Sequence, residues 1–408
     1  MSAPLWTSSD MALVTGGKAT DPFAVTGSVS IDTRSLMPGD LFVALTDQRD
    51  GHDFVEAAFA AGAAGALVSR QVGQGPQVIV EDVQAALELL GVAARVRCGA
   101  HRTAVTGSAG KTSVKEMLAQ IYRAFGPAHW NVKSFNNHWG VPLTLARMPE
   151  ETLRAVFEIG MSTPGEIAPR SQMVRPHTGI VTCIAGAHLE GLGTLSAVDI
   201  VGKPVLVTIN AVGEHWAMNA AAAVLAASQS GLAIEECAAA LSGYTPPPGR
   251  GTAEQLRLPQ GGHITLIDDA YNANPASMKA SLAALSRRGS GRRLIALGEM
   301  LEIGETSDAE HAALAGPVAD TGPAEIFLVG DKMTHLSDAL PPQLEQIWAR
   351  KWEELWNPLQ NALRDGDVLL IKGSNASGMA KLADRIRQWS EPAMGKMERG
   401  AEGTAEVG

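Results

Sequence analysis

The chain has 408 residues, too many for one ordinary hydrophobic core, so we expect two or three domains. Its 43 acidic and 33 basic residues give a formal charge of −10, which argues against a nucleic acid or an anionic membrane as partner. Its three cysteines form neither a disulfide framework nor a metal-site spacing, and no secretory leader or membrane-spanning segment is visible. We therefore expect a cytoplasmic protein.

The first hundred residues alternate short apolar runs with turn signals. Strands are predicted at 29–34, 40–45 and 66–68, and a helix that ends at a glycine is predicted over 54–62. This pattern predicts a small α/β domain over residues 1–99.

A second domain is predicted over residues 100–245. A short strand at 102–105 runs into a glycine-containing loop, and apolar residues then recur at the spacing of a helix: Val114, Met117, Leu118 and Ile121. Further strands are predicted at 155–157 and 178–184, and an alanine-rich helix is predicted over 215–230.

The clearest domain boundary is the proline- and glycine-rich connector at 244–251. Beyond it the apolar, β-branched runs are those of strands buried on both faces, which predicts a parallel sheet. These strands are expected at 264–267, 294–297, 326–329 and 368–371. The third domain therefore covers 246–392, and residues 393–408 are expected to be a disordered tail.

The loop T-G-S-A-G-K-T-S over 106–113 has the composition of a phosphate-binding loop, although Val105 occupies the first glycine position of the standard pattern. Glycines let backbone N–H groups turn toward an anion, and the following helix adds the positive end of its dipole. Lys111 can reach the terminal phosphates of ATP, and Thr112 offers a hydroxyl to Mg²⁺. The expected nucleotide-binding residues of the loop are Gly107, Ser108, Ala109, Gly110, Lys111, Thr112 and Ser113.

Acidic and imidazole side chains follow two later strands of the same domain. Glu158 follows the strand at 155–157, and His188 with Glu190 follows the strand at 178–184. Parallel sheets place ligands at the carboxyl ends of their strands, and Mg²⁺ prefers oxygen ligands. Thr112 and Glu158 are therefore the expected magnesium ligands, whereas a histidine taken alone is more often structural.

Four further strings resemble signatures of the Mur ligase family: S-F-N-N-H-W-G-V-P-L-T over 134–144, F-E-I-G over 157–160, A-H-L-E-G over 187–191 and D-D-A-Y-N-A-N-P over 268–275. The last string resembles the members that join D-alanyl-D-alanine to UDP-N-acetylmuramoyl-tripeptide. The resemblance covers nearly the whole chain. It implies a monomer of three domains, in which a central P-loop ATPase-like domain lies between a small N-terminal α/β domain and a Rossmann-like C-terminal domain.

The resemblance also implies the reaction, a step in the synthesis of peptidoglycan precursors. With ATP and Mg²⁺, a substrate carboxylate attacks the γ-phosphate to form an acyl phosphate, and an incoming amine then displaces phosphate. By resemblance Lys111, Glu158 and His188 are catalytic, and Thr112, Glu158 and His188 form the magnesium site.

The remaining site residues are also implied by the resemblance. Nucleotide contacts are expected from Asn219, Arg250, Asp269, Asn272 and Asn274. Substrate contacts are expected from Asp32, Thr33, Arg34, Asp50, Gly51, His52, Asn137, Tyr271, Lys372 and Ser374. Plainer interpretations stay open: Asp32 and Arg34 as a solvated pair, Asn272 and Asn274 as turn formers, and Arg250 as a hinge residue.

The chain departs from the family at two places. Where the family has a helix with a carbamylated lysine, I-V-G-K-P stands over 200–204, and Gly202 and Pro204 beside Lys203 disfavour a helix. Several dozen residues of the central domain are then missing. Trp216 also replaces an asparagine that the family places near the nucleotide.

These departures leave three hypotheses. The first is a working ligase with a trimmed central domain. The second is a catalytically impaired protein that binds a nucleotide or a UDP-sugar. The third is a ligase resembling folylpolyglutamate synthetase, which the N-terminal strings D-T-R and D-G-H-D disfavour.

Overall fold

The computed structural model describes residues 3–47, 49–132, 134–161, 163–182, 209, 214–288 and 291–390. They belong to two compact units, one running to residue 209 and resuming over His215–Tyr244, the other beginning at Thr245. The fold is α/β throughout. Among the described helices none is both long and apolar enough to cross a membrane.

The N-terminal part of the first unit has seven short strands, five of which form one sheet that helices cover. Its strands are β1 (Trp6–Thr7), β2 (Lys18–Ala19), β3 (Ala24–Val25), β4 (Val29–Ser30), β5 (Leu41–Val43), β6 (Gly65–Val68) and β7 (Gln77–Ile79). Its helices are α1 (Ser8–Thr15), α2 (Val55–Ala60) and α3 (Val83–Arg97). The sheet order is β2-β7-β6-β5-β4, with β2 antiparallel and the others parallel, while β1 and β3 form a separate antiparallel pair.

The second sheet of this unit is fully parallel, with strand order β11-β8-β10-β9. Its strands are β8 (His101–Thr106), β9 (Ala128–Trp130), β10 (Arg154–Glu158) and β11 (Thr178–Val181). The helices are α4 (Lys111–Ala124), α5 (Gly140–Ala146), α6 (Ile167–Val174), α7 (Glu214–Ser228) and α8 (Ile234–Leu241). The predicted strands at 102–105 and 155–157 and the predicted helix after the glycine loop are confirmed.

Helix α5 links the apolar clusters of the two sheets in the first unit, since its Val141 and Leu145 lie in the cluster of the second sheet. Leu143 and Ala146 of α5 pack into the core cluster of the N-terminal sheet. A Cβ on Gly91 of α3 would lie 3.0 Å from the Pro142 carbonyl oxygen, so the glycine lets the two helices pack closely. The Trp6 indole N–H donates to the carbonyl of Ala146 at 2.8 Å, and the Arg97 guanidinium lies 4.0 Å from the Trp6 ring. These contacts join the N-terminal strand β1 to helices α3 and α5.

His129 on β9 makes the stability of this unit depend on pH. Its Nε2 lies 2.7 Å from the Thr144 carbonyl oxygen, and burial lowers its pKa from 6.5 to about 4. Because the unfolded chain then binds the extra proton, the stabilisation is complete above about pH 6.5 and is lost as the pH falls toward about 4. We expect a loss of up to about 1.4 kcal/mol per pH unit in that window.

The measurement is urea unfolding between about pH 7.5 and pH 4.5. His129→Gln keeps a donor for the Thr144 carbonyl but does not titrate, so it should flatten this part of the profile. The exposed His138→Gln is the control and should leave the slope unchanged. An unchanged slope in His129→Gln would contradict the assignment.

The second unit is a six-stranded sheet with order β12-β13-β17-β14-β15-β16. Its strands are β12 (Thr252–Arg257), β13 (His263–Asp269), β14 (Arg293–Gly298), β15 (Glu325–Val329), β16 (Gln346–Ala349) and β17 (Val368–Lys372). The four predicted strands are confirmed and pair in parallel, but β12 is an antiparallel edge strand that was not predicted.

Helices cover both faces of this sheet, with a separate apolar cluster on each side. They are α9 (Pro275–Ser286), α10 (Ser307–Ala312), α11 (Ala315–Ala319), α12 (Met333–Ala339), α13 (Trp352–Ala362) and α14 (Met379–Ser390). The carboxyl ends of the parallel strands meet at one edge, where Asp269 and Lys372 end β13 and β17. This edge carries most of the C-terminal candidate residues.

Candidate functional site

The glycine loop connects β8 to α4 through two left-handed glycines. Gly107 has φ 131° and Gly110, the residue before α4, has φ 83°. The Lys111 ammonium donates to the Gly107 carbonyl at 2.7 Å, so the lysine folds back over its own loop. A strand, a left-handed turn and a helix N-terminus in this order form a cradle for an anion. Ser108 and Ala109 lie in the loop, and Ser113 is buried in the first turn of α4.

A residue that the sequence did not single out supports this loop. Thr182, directly after β11, donates from its hydroxyl to the Ala109 carbonyl at 2.5 Å, and its N–H donates to the Thr106 carbonyl at 2.9 Å. The neighbouring strand therefore helps to hold the loop in shape.

Glu158 meets Thr112 at the carboxyl end of β10, as the sequence predicted for these two residues. The Thr112 hydroxyl donates to Glu158 Oε2 at 2.8 Å, and the Asn136 amide donates to Oε1 at 2.7 Å. The glutamate is only 1% exposed. Among the described residues no cationic side chain pairs with this carboxylate. A buried carboxylate beside a hydroxyl, held by neutral donors, has the oxygen chemistry that suits Mg²⁺.

Asn136, which donates to Glu158, was not singled out from the sequence, whereas its neighbour Asn137 was predicted as a substrate residue. The Asn137 amide oxygen accepts the N–H of Gly140, the first residue of α5, at 2.9 Å. The predicted substrate role of Asn137 stays a prediction.

Asn219 of α7 lies against the glycine loop. A Cβ on Gly110 would lie 2.8 Å from the Asn219 amide oxygen, so only glycine fits here without displacing this amide. This places a candidate nucleotide residue beside the cradle.

Trp216, one turn earlier on α7, is a core residue. It is 4% exposed, and its ring centroid lies 6.2 Å from that of Tyr244. The structure thus gives the indole a packing role at the position where the resemblance implies an asparagine.

We expect Trp216→Asn to destabilise the first unit by about 3 kcal/mol or more, because it leaves a cavity and buries an amide. Urea unfolding with far-UV circular dichroism measures this loss. The exposed Met218→Asn on the same helix should cost less than about 1 kcal/mol and serves as control. A loss as small as that of the control would show that the indole is not part of the core.

Asp50 and His52 form a hydrogen-bonded cluster in the N-terminal sheet. Asp50 accepts from His52 Nδ1 at 2.6 Å and from Arg70 Nη2 at 2.7 Å, while His52 Nε2 accepts the Ser69 N–H at 2.9 Å. These partners fix a neutral imidazole with its proton on Nδ1. The Arg70 guanidinium, with smaller contributions from His52, holds the pKa of the Asp50 carboxyl well below its usual range. Arg70 was not predicted.

The other N-terminal candidates are loop residues. Gly51 begins a 3-10 turn and donates its N–H to the Leu45 carbonyl at 2.8 Å. Asp32 and Arg34 form an exposed pair with Nη2 2.7 Å from Oδ2, and Thr33 lies in the turn between them. The pair matches the plainer interpretation of a solvated ion pair, and the predicted substrate role stays a prediction.

Asp269 and Lys372 form a nearly buried ion pair at the carboxyl edge of the second unit. The Lys372 ammonium lies 2.7 Å from Asp269 Oδ2 and donates to the Asn272 carbonyl at 3.2 Å. The Ser281 hydroxyl of α9 donates to the same Oδ2 at 2.5 Å. Lys372 is 2% exposed, so its described contacts tie β17 to β13.

The asparagines after β13 shape the start of α9. Asn274 accepts the Ser277 N–H at 2.8 Å in a capping box and precedes Pro275 at the first helical position. Asn272 accepts the next residue's N–H at 2.9 Å. Both therefore have the turn-forming role that the sequence left open. Ser374 is buried and accepts the Leu301 N–H at 2.9 Å.

Arg250 stacks on Tyr271 within the second unit. The guanidinium lies 3.9 Å from the ring centroid, and the Tyr271 N–H donates to the Gly249 carbonyl at 2.9 Å. Tyr271 is 37% exposed, so the stack is accessible to a ligand. The ring holds the guanidinium in one orientation.

Several predicted features lie outside the described residues. They are His188, Glu190 and the altered segment around Lys203. Within the described part of the chain, no group of three His, Cys, Asp or Glu side chains is arranged to hold a metal ion. The described magnesium candidates are therefore Thr112 and Glu158 only.

Two family models match the chain. The Mur ligase middle domain matches residues 105–199, and the model named Mur ligase, glutamate ligase domain matches residues 255–375. The first match ends next to residue 200, where the sequence departs from the family.

Several curated relatives are UDP-N-acetylmuramoyl-tripeptide–D-alanyl-D-alanine ligases. The one from Bacillus subtilis is 30% identical, covering 87% of this chain and 92% of its own length, and the one from Escherichia coli is 30% identical, covering 88% and 94%. The first alignment is 423 residues long, more than the whole chain, so that relative carries residues with no counterpart here. This agrees with the predicted deletion.

Solved structures of MurF proteins have the same fold as this chain. MurF from Acinetobacter baumannii matches with a TM-score of 0.78 at 25% identity, over 94% of this chain and 99% of that one. MurF ligase from Thermotoga maritima, solved in complex with ADP, shares the fold with a TM-score of 0.72 at 19% identity. The predicted architecture of three α/β domains is confirmed. The chain belongs to the Mur ligase family.

Proposed function

We propose that the chain joins D-alanyl-D-alanine to UDP-N-acetylmuramoyl-tripeptide at the expense of ATP. The observation that carries the proposal is the pairing of Thr112 with the buried Glu158 at the mouth of the Lys111 loop. The names of the curated relatives support the choice of substrates.

The loop and strand ends supply what such a ligase needs from its own residues. The Gly107–Gly110 turn and the start of α4 bind the phosphates through backbone N–H groups, and Lys111 neutralises charge that develops on the transferred phosphoryl group. Thr112 and Glu158 would hold Mg²⁺, with His188 added by resemblance. Bound Mg²⁺ supplies further positive charge to bring a carboxylate and a triphosphate together.

The other domains would bind the two ends of the product. We propose that residues 1–99 bind the uridine diphosphate end through the Asp32–Arg34 and Asp50–His52 segments, and that Arg70 belongs to the second of these. The central domain, 100–245, would bind ATP, and residues 246–392 would bind the dipeptide near Tyr271, Lys372 and Ser374. Arg250, Asn272 and Asn274 would face the nucleotide, as in the family.

A second candidate is a protein that binds the nucleotide without turnover. The missing residues of the central domain favour it, because the segment that the resemblance assigns to a carbamylated lysine is altered. Both candidates share the phosphate-binding loop and differ in dipeptide-dependent turnover.

The experiment is an assay of phosphate release from ATP with Mg²⁺, UDP-N-acetylmuramoyl-tripeptide and D-alanyl-D-alanine. The ligase proposal predicts release that needs both substrates and yields a pentapeptide product by mass spectrometry. Folded protein that binds ADP without dipeptide-dependent release would replace the ligase with the second candidate. We also propose that the protein is a monomer, which light scattering tests. We propose that it acts in the cytoplasm, which cell fractionation tests.

A further inference from the structure

Asn131 lies where β9 leaves the central sheet. The last paired residues of β9 and β10 are Trp130 and Val156, so the main chain of β9 turns away before it reaches Glu158. The side chain of Asn131 fills the place of the missing strand partner. It accepts the Glu158 N–H at 2.6 Å, and its amide nitrogen lies 3.4 Å from the Glu158 carbonyl oxygen.

The same amide also holds the loop that follows. Asn131 Nδ2 donates to the Phe135 carbonyl at 2.5 Å, and the next residue, Asn136, donates to Glu158 Oε1. One fully buried side chain therefore fixes both the main chain of Glu158 and the loop that orients its carboxylate.

Lys115 fixes Asn131 in turn. Its ammonium is fully buried and donates to the Asn131 carbonyl at 2.9 Å. Lys115 lies one helical turn after Thr112, so the same face of α4 contacts the Glu158 carboxylate and the residue that holds its main chain. Glu158 is therefore held by hydrogen bonds from α4, from the end of β9 and from the loop that follows β9.

We propose that Asn131, supported by Lys115, is a positioning residue that sets the Glu158 carboxylate for a divalent cation beside bound nucleotide. The proposal rests on the proposed function only in the assignment of Glu158 as a cation ligand. A buried carboxylate can bind a cation well only if its oxygens are held in place before binding. Asn131 would touch neither the nucleotide phosphates nor the cation, and it acts through Glu158.

The test measures the affinity of the whole protein for ADP by calorimetry, with Mg²⁺ and with a chelator in its place. The ratio of the two affinities reports the cation contribution. We expect Asn131→Ala to lower this ratio about tenfold while the affinity for metal-free ADP stays within about twofold, because the loop backbone is untouched. Asn131→Ser, which keeps an acceptor for the Glu158 N–H, should give an intermediate ratio and serves if the alanine variant does not fold.

The matched control is Thr103→Val, which removes another fully buried hydrogen bond in the same domain, 2.7 Å between Thr103 and Tyr122. It should lower the melting temperature but leave the ratio unchanged. If the Asn131 variants lose stability and keep the wild-type ratio, Asn131 is only structural and the proposal is wrong.

A double-mutant cycle with Glu158→Gln tests whether Asn131 acts through Glu158 or independently of it. If Asn131 acts through Glu158, the effects of Asn131→Ser and Glu158→Gln on the ratio are not additive. Additive effects would overturn the proposal. These outcomes do not depend on dipeptide turnover, so failure of the ligase assay would leave them interpretable.

Discussion

Lys111→Met should reduce ATP-dependent phosphate release by about 10²- to 10³-fold in a protein that still folds. Loss of one electrostatic group that stabilises developing charge in a closed site costs this much in other enzymes. Methionine keeps the length of the side chain and suits a helix, so α4 should be preserved. The measurement is steady-state phosphate release under saturating substrates.

The control for this variant is Lys18→Met, which removes an exposed lysine on β2 of the same unit. It should retain wild-type activity, and both variants should melt near the wild-type temperature. A loss below about tenfold in folded Lys111→Met would show that the ammonium is not needed where charge develops.

Lys372→Met should lower the free energy of unfolding of the second unit by about 3 kcal/mol. Lys372 is nearly buried and lies 2.7 Å from Asp269, whose side chain is 20% exposed. Removing one partner of such a pair leaves a carboxylate with little water and no counter-charge. Urea unfolding followed by tryptophan fluorescence measures the loss, since Trp352, Trp356 and Trp389 report on this unit.

Two further variants test whether the loss comes from the ion pair. The exposed Lys381→Met on α14 should cost less than about 0.5 kcal/mol. Adding Asp269→Asn to Lys372→Met removes the unpaired charge and should restore part of the lost stability. If the double variant is no more stable than Lys372→Met alone, the ion pair does not explain the loss.

The elements that could be predicted from the sequence are those determined by residues adjacent in the chain. The four strands predicted in the second unit are apolar runs, and burial on both faces leaves them no other structure. The glycine loop is also local, because its turn needs glycines at 107 and 110 and its helix begins at once. The pairing of Thr112 with Glu158 followed from the rule on strand ends.

Other features depend on which parts of the chain meet in space. The α3 helix contains Gly91, which weakens a helix taken alone and makes sense only when Pro142 is seen against it. The contact of Asn136 with Glu158 depends on the path of the loop. The role of Asn131 could not be predicted for the same reason, since its hydrogen bonds to the Glu158 main chain form where β9 leaves the sheet.

The C-terminal candidate residues show that a motif does not by itself give the role of each of its residues. The string around Lys372 resembles a substrate loop, yet the lysine ends a buried strand and pairs with Asp269. Asn274 is a helix cap whatever else it contacts. A motif therefore located the carboxyl edge of the sheet correctly but could not separate residues that build this edge from residues that would face a ligand.

The packing of α3 against α5 has a consequence for how the chain unfolds. Because α5 packs into the apolar cluster of the N-terminal sheet, neither half of the unit can unfold without exposing apolar surface of the other, so the two halves should melt in a single cooperative step. Calorimetry should then show one heat-absorption peak for residues up to 244, although two domains are expected there. A fragment that stops near residue 99 would be released with the α5-facing side of α3 uncovered, and we expect it to aggregate rather than fold alone.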